Sequence, residues 1–240
     1  MRHADPLTLQ GLRDGELEVL GRLPGSSNQA LVVLVHHENL AEPFHAVYKA
    51  AAAERPLFDF PDGTLARREV AAFLVSEAMG WGLIPPTVLR EGPFGEGMVQ
   101  EWIHPDPAAD IVAMVMDPDP RLRRMAIFDA IVNNTDRKGG HLLPMPGGHV
   151  FGVDHGVTFS TVPKLRTVLW GWMGTPLTDE ERAGVERVHI DLQADLGDAL
   201  RALLSRPEVT ATRRRSSALL KRGRFPRPGR NWPAVPWPTF

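Results

Sequence analysis

Apolar and polar positions divide the chain into two unlike halves. Residues 17–23 and 29–35 are apolar runs rich in leucine and valine, and the segment between them is Pro24-Gly25-Ser26-Ser27-Asn28, so the pattern predicts a hairpin. Phe44-His45-Ala46-Val47-Tyr48-Lys49-Ala50 predicts a third strand, and the mixed stretch 52–62, with Pro56 and Pro61, predicts an irregular loop. At Thr64 the period changes. Leu65, Val70, Phe73, Leu74, Ala78 and Met79 recur at helical spacing, with Thr64 as N-cap and Gly80 as terminator. Strands are predicted over 85–89 and 98–103, on either side of a turn at 92–97.

The second half is helical. Residues 108–116 and 121–132 carry helical patterns, 133–141 is a polar loop with two glycines, 149–153 is a short strand ending in Asp154-His155-Gly156, and 178–205 predicts one or two helices. A Pro/Arg-rich segment begins near Thr212. The expected class is α+β and bilobal: a β-rich lobe of about five strands and one helix over 1–103, a helical lobe over 104–211, and a basic tail over 212–240 packed on the body, all in one domain.

Composition removes several classes of function. The chain has 240 residues, 43% of them hydrophobic, and a formal charge of −2, ordinary for a soluble globular protein. It has no apolar run long enough to span a membrane and no apolar stretch near Met1 resembling a secretory signal, so a cytoplasmic protein without integral membrane contact is expected. The absence of cysteine excludes disulfides, thiolate metal sites and a cysteine nucleophile. From Arg206 onward nine basic residues face one acid, Glu208, about +8, which leaves about −10 on the rest. Such a tail could meet nucleic acid, anionic lipid or a phosphorylated ligand. It holds few aromatics and no nucleic-acid motif, so the expectation is a segment packed through Trp232, Trp237 and Phe240, with nucleic acid not a partner. Only four of 27 basic residues are lysines (Lys49, Lys138, Lys164 and Lys221), which makes their positions worth following.

Three segments carry candidate chemistry. Asn133-Asn134-Thr135-Asp136-Arg137-Lys138-Gly139-Gly140-His141 gathers an acid, two bases and a histidine in a loop after an apolar helix. Val153-Asp154-His155-Gly156 places an acid at a strand end beside a glycine, a common way to hold a metal. Lys49 is central in an apolar strand. Singly each has a plain explanation: a turn, a capping aspartate, a snorkelling lysine. Together, a strand lysine after a small hairpin, a helix with an inward acid, an Asp-Arg loop and an Asp-x-Gly occur in the order of the parts of a kinase.

Asn134-Thr135-Asp136-Arg137 followed by Val153-Asp154-His155-Gly156 resembles the catalytic and metal loops of the phosphatidylinositol 3-/4-kinase superfamily, and similar pairs occur in bacterial persistence-toxin kinases and secreted-pathway kinases. Over nearly the whole chain the sequence resembles an actinobacterial family distantly similar to phosphatidylinositol 3-/4-kinases. That resemblance rests on Tyr48-Lys49, Arg55-Pro56-Leu57, Asp59-Phe60-Pro61-Asp62-Gly63-Thr64-Leu65 and Pro233-Ala234-Val235-Pro236-Trp237-Pro238.

The resemblance implies a small protein-kinase-like fold that uses ATP with Mg²⁺ or Mn²⁺, and it implies roles. Lys49 contacts the α/β-phosphates. Glu69 holds Lys49, with Glu77 as the rival two turns on. Ser26, Ser27 and Asn28 cap the phosphates through N–H groups, and Gln100, Glu101, Trp102 and Ile103 form the hinge beside adenine. Asp136 orients or deprotonates the attacking hydroxyl, with Arg137 and Lys138 in the same loop, and Asp154 holds the metal. Two positions depart from the pattern. His141 stands where a second metal ligand, asparagine, is usual, and imidazole suits Mn²⁺ or Zn²⁺ better than Mg²⁺. Lys138 stands where lipid kinases carry histidine and could stabilise charge on the γ-phosphate.

The expected function is phosphoryl transfer from ATP to an alcohol, either a small polyol or inositol-type compound or a protein Ser/Thr. A soluble acceptor ranks above a lipid because the segment after Gly156 is short. A nucleotide-binding pseudokinase, favoured by His141, and a protein AMP-transferase are the alternatives. The remaining histidines show no metal spacing, Trp170 and Trp172 read as core or as the wall of an acceptor pocket, and neither the oligomeric state nor the acceptor is encoded legibly.

Overall fold

The computed structural model describes residues 5–24 and 29–240. Ser26, Ser27 and Asn28 therefore lie outside the described residues.

The amino-terminal part is an antiparallel sheet of β1 (Glu16–Arg22), β2 (Leu31–His36), β3 (Phe44–Ala50), β4 (Thr87–Gly92) and β5 (Gly95–Glu101), in the order β1-β2-β3-β5-β4. The predicted turn over 92–97 is mostly strand, because Gly92 pairs directly with Gly95 across Pro93 and Phe94. Those glycines answer a packing need. A Cβ on Gly92 or Gly97 would lie 2.7 or 2.6 Å from the ring of Tyr48, which runs beneath both strands.

The pleat gives the two faces of the sheet different tasks. Val33, Val35, Ala46, Tyr48, Ala50, Val88 and Val99 share one buried face with Leu12. Leu12 belongs to α1 (Pro6–Asp14), a helix that the sequence pattern does not predict, started by Asp5 accepting from the Thr8 N–H at 3.1 Å. The opposite face carries Val47, Lys49 and Met98 and is covered by α2 (Leu65–Met79).

Helix α2 runs from the sheet into the helical part. Its amino-terminal half meets the sheet through Ala66 and Val70, while Phe73, Val75 and Met79 join the main core. Thr64 holds the N-cap position but its hydroxyl donates to the Pro61 carbonyl at 2.7 Å. The free N–H groups of Leu65 and Ala66 donate instead to Glu54, at 3.0 and 2.7 Å. A carboxylate outside the helix thus supplies the negative charge that a helix start favours.

The helical part consists of α3 (Ile111–Met116), α4 (Arg123–Val132), α5 (Asp179–Asp191), α6 (Asp195–Leu203) and α7 (Arg206–Arg222). A two-stranded hairpin, β6 (Leu142–Pro144) and β7 (Val150–Gly152), also lies here. Almost every residue of α4 is buried, as a central helix with little polar surface requires. The α+β, two-part architecture is as expected.

Helix α7 corrects the expectation of an irregular tail from Thr212. Its buried stripe is Val209, Thr212, Ser216 and Leu219, half of it hydroxyl residues, so a hydrophobicity pattern does not reveal it. The caps do: Ser205 and Glu208 form a capping box, and Gly223 ends the helix with φ 60°. Of the three aromatics expected to pack the tail, Trp237 is 86% exposed, while Phe240 lies against Gly139.

Arg68 ties the two parts together. It is 1% exposed, donates to the Thr158 carbonyl at 2.8 Å and to Glu208 at 2.6 Å, and stacks over Phe60. Burial pushes the Glu208 carboxyl up, but hydrogen bonds from Ser205 and the charge of Arg68 outweigh it and hold the carboxyl below its ordinary value. A carboxyl lowered in the folded state adds stability above about pH 4.3, and that contribution is lost as pH falls through the folded value. Glu208→Gln should therefore lower stability at pH 7 by about 1–3 kcal/mol and flatten the loss on acidification below about pH 4.3. Urea midpoints at a series of pH values measure both; an unchanged acid slope would contradict the pairing.

Candidate active site

Lys49, Glu69 and Asp154 come from β3, α2 and the turn after β7, and they meet where the two parts of the molecule face each other. Lys49 Nζ lies 2.7 Å from Glu69 Oε1 and 2.9 Å from Asp154 Oδ1. Glu69, one turn into α2, meets the lysine, which decides between the two acids named from sequence. The second oxygen of Glu69 accepts the backbone N–H of His155 at 2.7 Å, so one buried carboxylate holds both the strand lysine and the Asp154 turn. Asp154 sits at φ 62°, a left-handed conformation that aspartate tolerates better than most residues.

The charges reinforce one another. Burial alone would lower the Lys49 ammonium, but Asp154 and Glu69 more than offset it and raise its pKa, so Lys49 is charged at neutral pH. Lys49 in turn holds Asp154 well below the usual carboxylate range against the opposing effect of burial. The Asp154 side chain is 50% exposed, open to a ligand, whereas Glu69 is 1% exposed and serves only its neighbours.

The loop after α4 is built on a fully buried ion pair. Arg137 and Asp129 are both 0% exposed, with Arg137 Nε 3.1 Å from Asp129 Oδ2 and Nη2 3.0 Å from Oδ1. Arg137 also donates to the carbonyls of Val153 at 3.1 Å and His141 at 3.3 Å, and to His155 Nε2. Because a guanidinium only donates, Nε2 of His155 is an acceptor and the ring proton is on Nδ1, facing Glu69. Burial and Arg137 push this histidine well below its ordinary pKa, so it is neutral. Asn134 completes the knot: its amide donates to Asp129 at 3.0 Å, and its carbonyl accepts the Asp136 N–H at 2.9 Å.

Asp136 and Lys138 stand on the open side of this loop, 3.0 Å apart and both partly exposed. His141 Nε2 lies 3.5 Å from Asp154 Oδ2, and its buried Nδ1 has no hydrogen-bond partner. Burial pushes His141 below its ordinary pKa against the pull of Asp154. The structure thus gathers Lys49, Glu69, Asp154 and His141 into one cluster and sets Asp136 and Lys138 on the same loop as His141. Arg137 it withdraws into the interior.

The hinge segment is only partly open. The Gln100 side chain is buried and donates to Thr87 at 2.8 Å, and the N–H groups of Glu101 and Trp102 donate to the carbonyls of Pro86 and His45, both at 2.9 Å. Asp129 and Glu54 are the site-building residues that sequence reasoning did not single out. Asp129 had a signal, a lone acid in the apolar run Met125-Ala126-Ile127-Phe128-Asp129-Ala130-Ile131-Val132. Glu54, in an irregular loop, had none. Among the described residues, no group of three or more His, Asp or Glu side chains could hold a metal.

The carboxy-terminal segment supports the same loop. The Gly139 N–H donates to the Thr239 carbonyl at 2.9 Å, and the Phe240 ring occupies the space where a side chain at position 139 would be. Only glycine permits this approach.

No protein-family model matches the chain. The chain is 41% identical to Protein Rv2133c of Mycobacterium tuberculosis (strain ATCC 25618 / H37Rv), across 95% of this chain and 94% of that protein. Among solved structures it is similar to hydra Fam20, determined with sugar, with a TM-score of 0.56 at 13% identity, covering 89% of this chain and 86% of that one. It is also similar to the Golgi casein kinase, with a TM-score of 0.53 at 14% identity, covering 92% and 75%. At these identities the likeness is one of fold, and the fold is kinase-like.

Asp129→Ala would leave the Arg137 guanidinium buried without its counter-charge, and a loss of about 3–5 kcal/mol is expected. Denaturant unfolding measures it; a loss under about 1 kcal/mol would show that the knot is not a structural centre.

Proposed function

We propose that this chain, which belongs to the family of Protein Rv2133c, is an ATP-dependent phosphotransferase acting on an alcohol. The observation that carries this reading is Lys49 Nζ, held at 2.7 Å from Glu69 and 2.9 Å from Asp154 across the junction of sheet and helices. A buried acid fixes the lysine, and a half-exposed acid stands beside it facing open space. A purely structural ion pair does not need that second, exposed carboxylate. The kinase-like fold supports the reading. The finer likeness to phosphatidylinositol 3-/4-kinases rests on the two loop motifs alone.

In this reading Lys49 binds phosphate oxygens of ATP, and Glu69 keeps the ammonium aimed at them. Asp154 and the neutral His141 would hold a divalent cation. With His141 Nε2 3.5 Å from Asp154 Oδ2, these two side chains would supply two donors to a Mg²⁺ or Mn²⁺ ion whose other ligands would have to come from nucleotide phosphates and water, and the imidazole would shift the preference toward Mn²⁺. Such an ion would neutralise phosphate charge. Asp136 orients the acceptor hydroxyl and receives its proton as the phosphoryl group passes to the hydroxyl oxygen and ADP leaves. Lys138, 3.0 Å from Asp136, provides a cation beside the transferring group. Arg137 is a positioning residue, since its guanidinium fastens the Asp136 and Asp154 loops from within. An adenine edge would find its backbone partner at Ile103 or at a carbonyl, the N–H groups of Glu101 and Trp102 being already engaged. His141 also favours a second reading, a nucleotide-binding pseudokinase.

Calorimetry should detect ATP binding with Mg²⁺ or Mn²⁺, and Asp154→Ala should abolish its metal dependence; no binding with any metal would overturn both readings. With a competent acceptor, Lys49→Met should reduce turnover by roughly 10²–10³-fold, while Asp136→Ala should stop turnover and leave binding nearly intact. Label transferred from γ-labelled ATP indicates phosphoryl transfer, label from α-labelled ATP indicates AMP transfer, and binding without either supports the pseudokinase. His141→Asn should move the metal preference from Mn²⁺ toward Mg²⁺, read as the ratio of activities with the two ions.

A further inference from the structure

Away from the Lys49–Asp154 cluster, α4, α7, the segment 163–170 and the segment 222–232 enclose a cavity of about 220 Å³. Its wall holds five cations, Lys164, Arg215, Arg222, Arg224 and Arg227, and no carboxylate. Trp170 and Trp232 line it as well. The indole N–H of Trp170 is engaged with the Ala234 carbonyl at 2.9 Å, which fixes the ring.

The cations are unevenly compensated. Lys164 is paired with Asp59. Arg215 donates to the Ile131 carbonyl at 2.6 Å, the Ser160 carbonyl at 3.1 Å and the Thr212 hydroxyl at 2.8 Å, all neutral acceptors. Burial pulls Arg215 down to about 10, with Glu208 opposing, so it stays charged at neutral pH. Arg222, Arg224 and Arg227 are exposed, and Arg224 donates to the Gly174 carbonyl at 3.0 Å. A desolvated guanidinium satisfied only by neutral oxygens, with further guanidinium groups around the same small space, favours an anion. Guanidinium matches phosphate oxygens in geometry as well as charge. The volume is below that of common drug-sized ligand pockets, about 300–1,000 Å³, so the ligand is small.

We propose that this cavity binds a small phosphate monoester, its phosphate held by Arg215, Arg222 and Arg227 and its carbon body lying against Trp170 and Trp232. The site is joined to the Asp136 loop through a chain of hydrogen bonds. Asn133 lines the cavity and accepts the Lys164 N–H at 3.1 Å, Asn134 accepts the Arg166 N–H at 2.9 Å, and Arg137 donates its N–H to the Arg166 carbonyl at 3.0 Å. Occupancy therefore bears on the strand of chain that holds Asp136. The inference is independent of the nucleotide reading.

Phenyl phosphate is the probe, titrated into the full-length protein without nucleotide and followed by calorimetry and tryptophan fluorescence. Binding is expected. The double variant Arg222→Ala/Arg227→Ala should weaken it roughly tenfold or more with an unchanged circular dichroism spectrum, and Lys49→Met should leave it unaltered. Benzyl alcohol should bind far more weakly, because it lacks the anion. No binding up to about 10 mM would overturn the proposal. So would loss through Lys49→Met rather than the arginine pair, which would place the phosphate at the other site, or equal binding of benzyl alcohol, which would make the cavity merely apolar. Sedimentation with phosphatidylcholine vesicles carrying phosphatidic acid separates the sources of such a phosphate. Arginine-dependent pelleting assigns it to a lipid headgroup, and soluble binding without pelleting assigns it to a free ester.

Discussion

The arrangement depends on one buried carboxylate. Glu69 is 1% exposed and divides its two oxygens between Lys49, on the sheet, and the His155 N–H, on the turn that carries Asp154. An ionised carboxylate removed from water costs several kcal/mol unless it is paired and hydrogen-bonded, so its partners must be in place whenever the fold is formed. Helix α2 must therefore lie where Glu69 reaches both. Glu54 at the helix start and Arg68, reaching Thr158 and Glu208, hold it there. The helix is thus a strut between the sheet and the helical part, and the geometry of Lys49 and Asp154 follows from its position.

A second buried pair organises the other wall. Asp129 and Arg137 are sealed from solvent, and their surplus hydrogen-bonding capacity goes to Asn134, to the carbonyls of Val153 and His141 and to His155. Three pieces of chain, α4 at Asp129, the turn at His141 and the segment 153–155, are thereby held against one guanidinium. The division of labour is physical. Arg137 and Glu69 have no exposed polar surface and can only position, whereas Asp136, Lys138 and Asp154 are partly exposed and can meet a ligand. Neighbours in sequence, Asp136 and Arg137, fall on opposite sides of that division because the chain passes between interior and cleft within one residue.

The carboxy-terminal segment has a structural task that its basic composition conceals. Its arginines belong partly to a capped helix whose buried stripe includes Thr212 and Ser216, and partly to the rim of a cationic cavity. Its last residues brace Gly139 in the loop that carries Asp136. Lys164, one of the few lysines of an arginine-rich chain, sits under Trp232 and Phe60 with Asp59 and fastens the loop after β3 to the helical part.

Sequence by itself determined the alternation that builds the sheet, the apolar period of α2 and α4, and the order of Lys49, Glu69, Asp136 and Asp154 along the chain. These are local or ordinal properties, fixed by backbone periodicity and residue chemistry. Strand alternation also set Lys49 on the face opposite Tyr48, since neighbours on a strand point to opposite sides. It did not reveal α1, whose pattern is short, or α7, whose stripe includes hydroxyls. Only the tertiary structure decided between Glu69 and Glu77 for Lys49, because both lie on the same helix and the choice depends on where that helix docks. It also withdrew Arg137 into partnership with Asp129 and turned Gln100 into the sheet. Burial is a property of the whole packing, and a polar residue in a sequence carries no mark of whether its partner will be solvent, a ligand or a side chain brought from far along the chain.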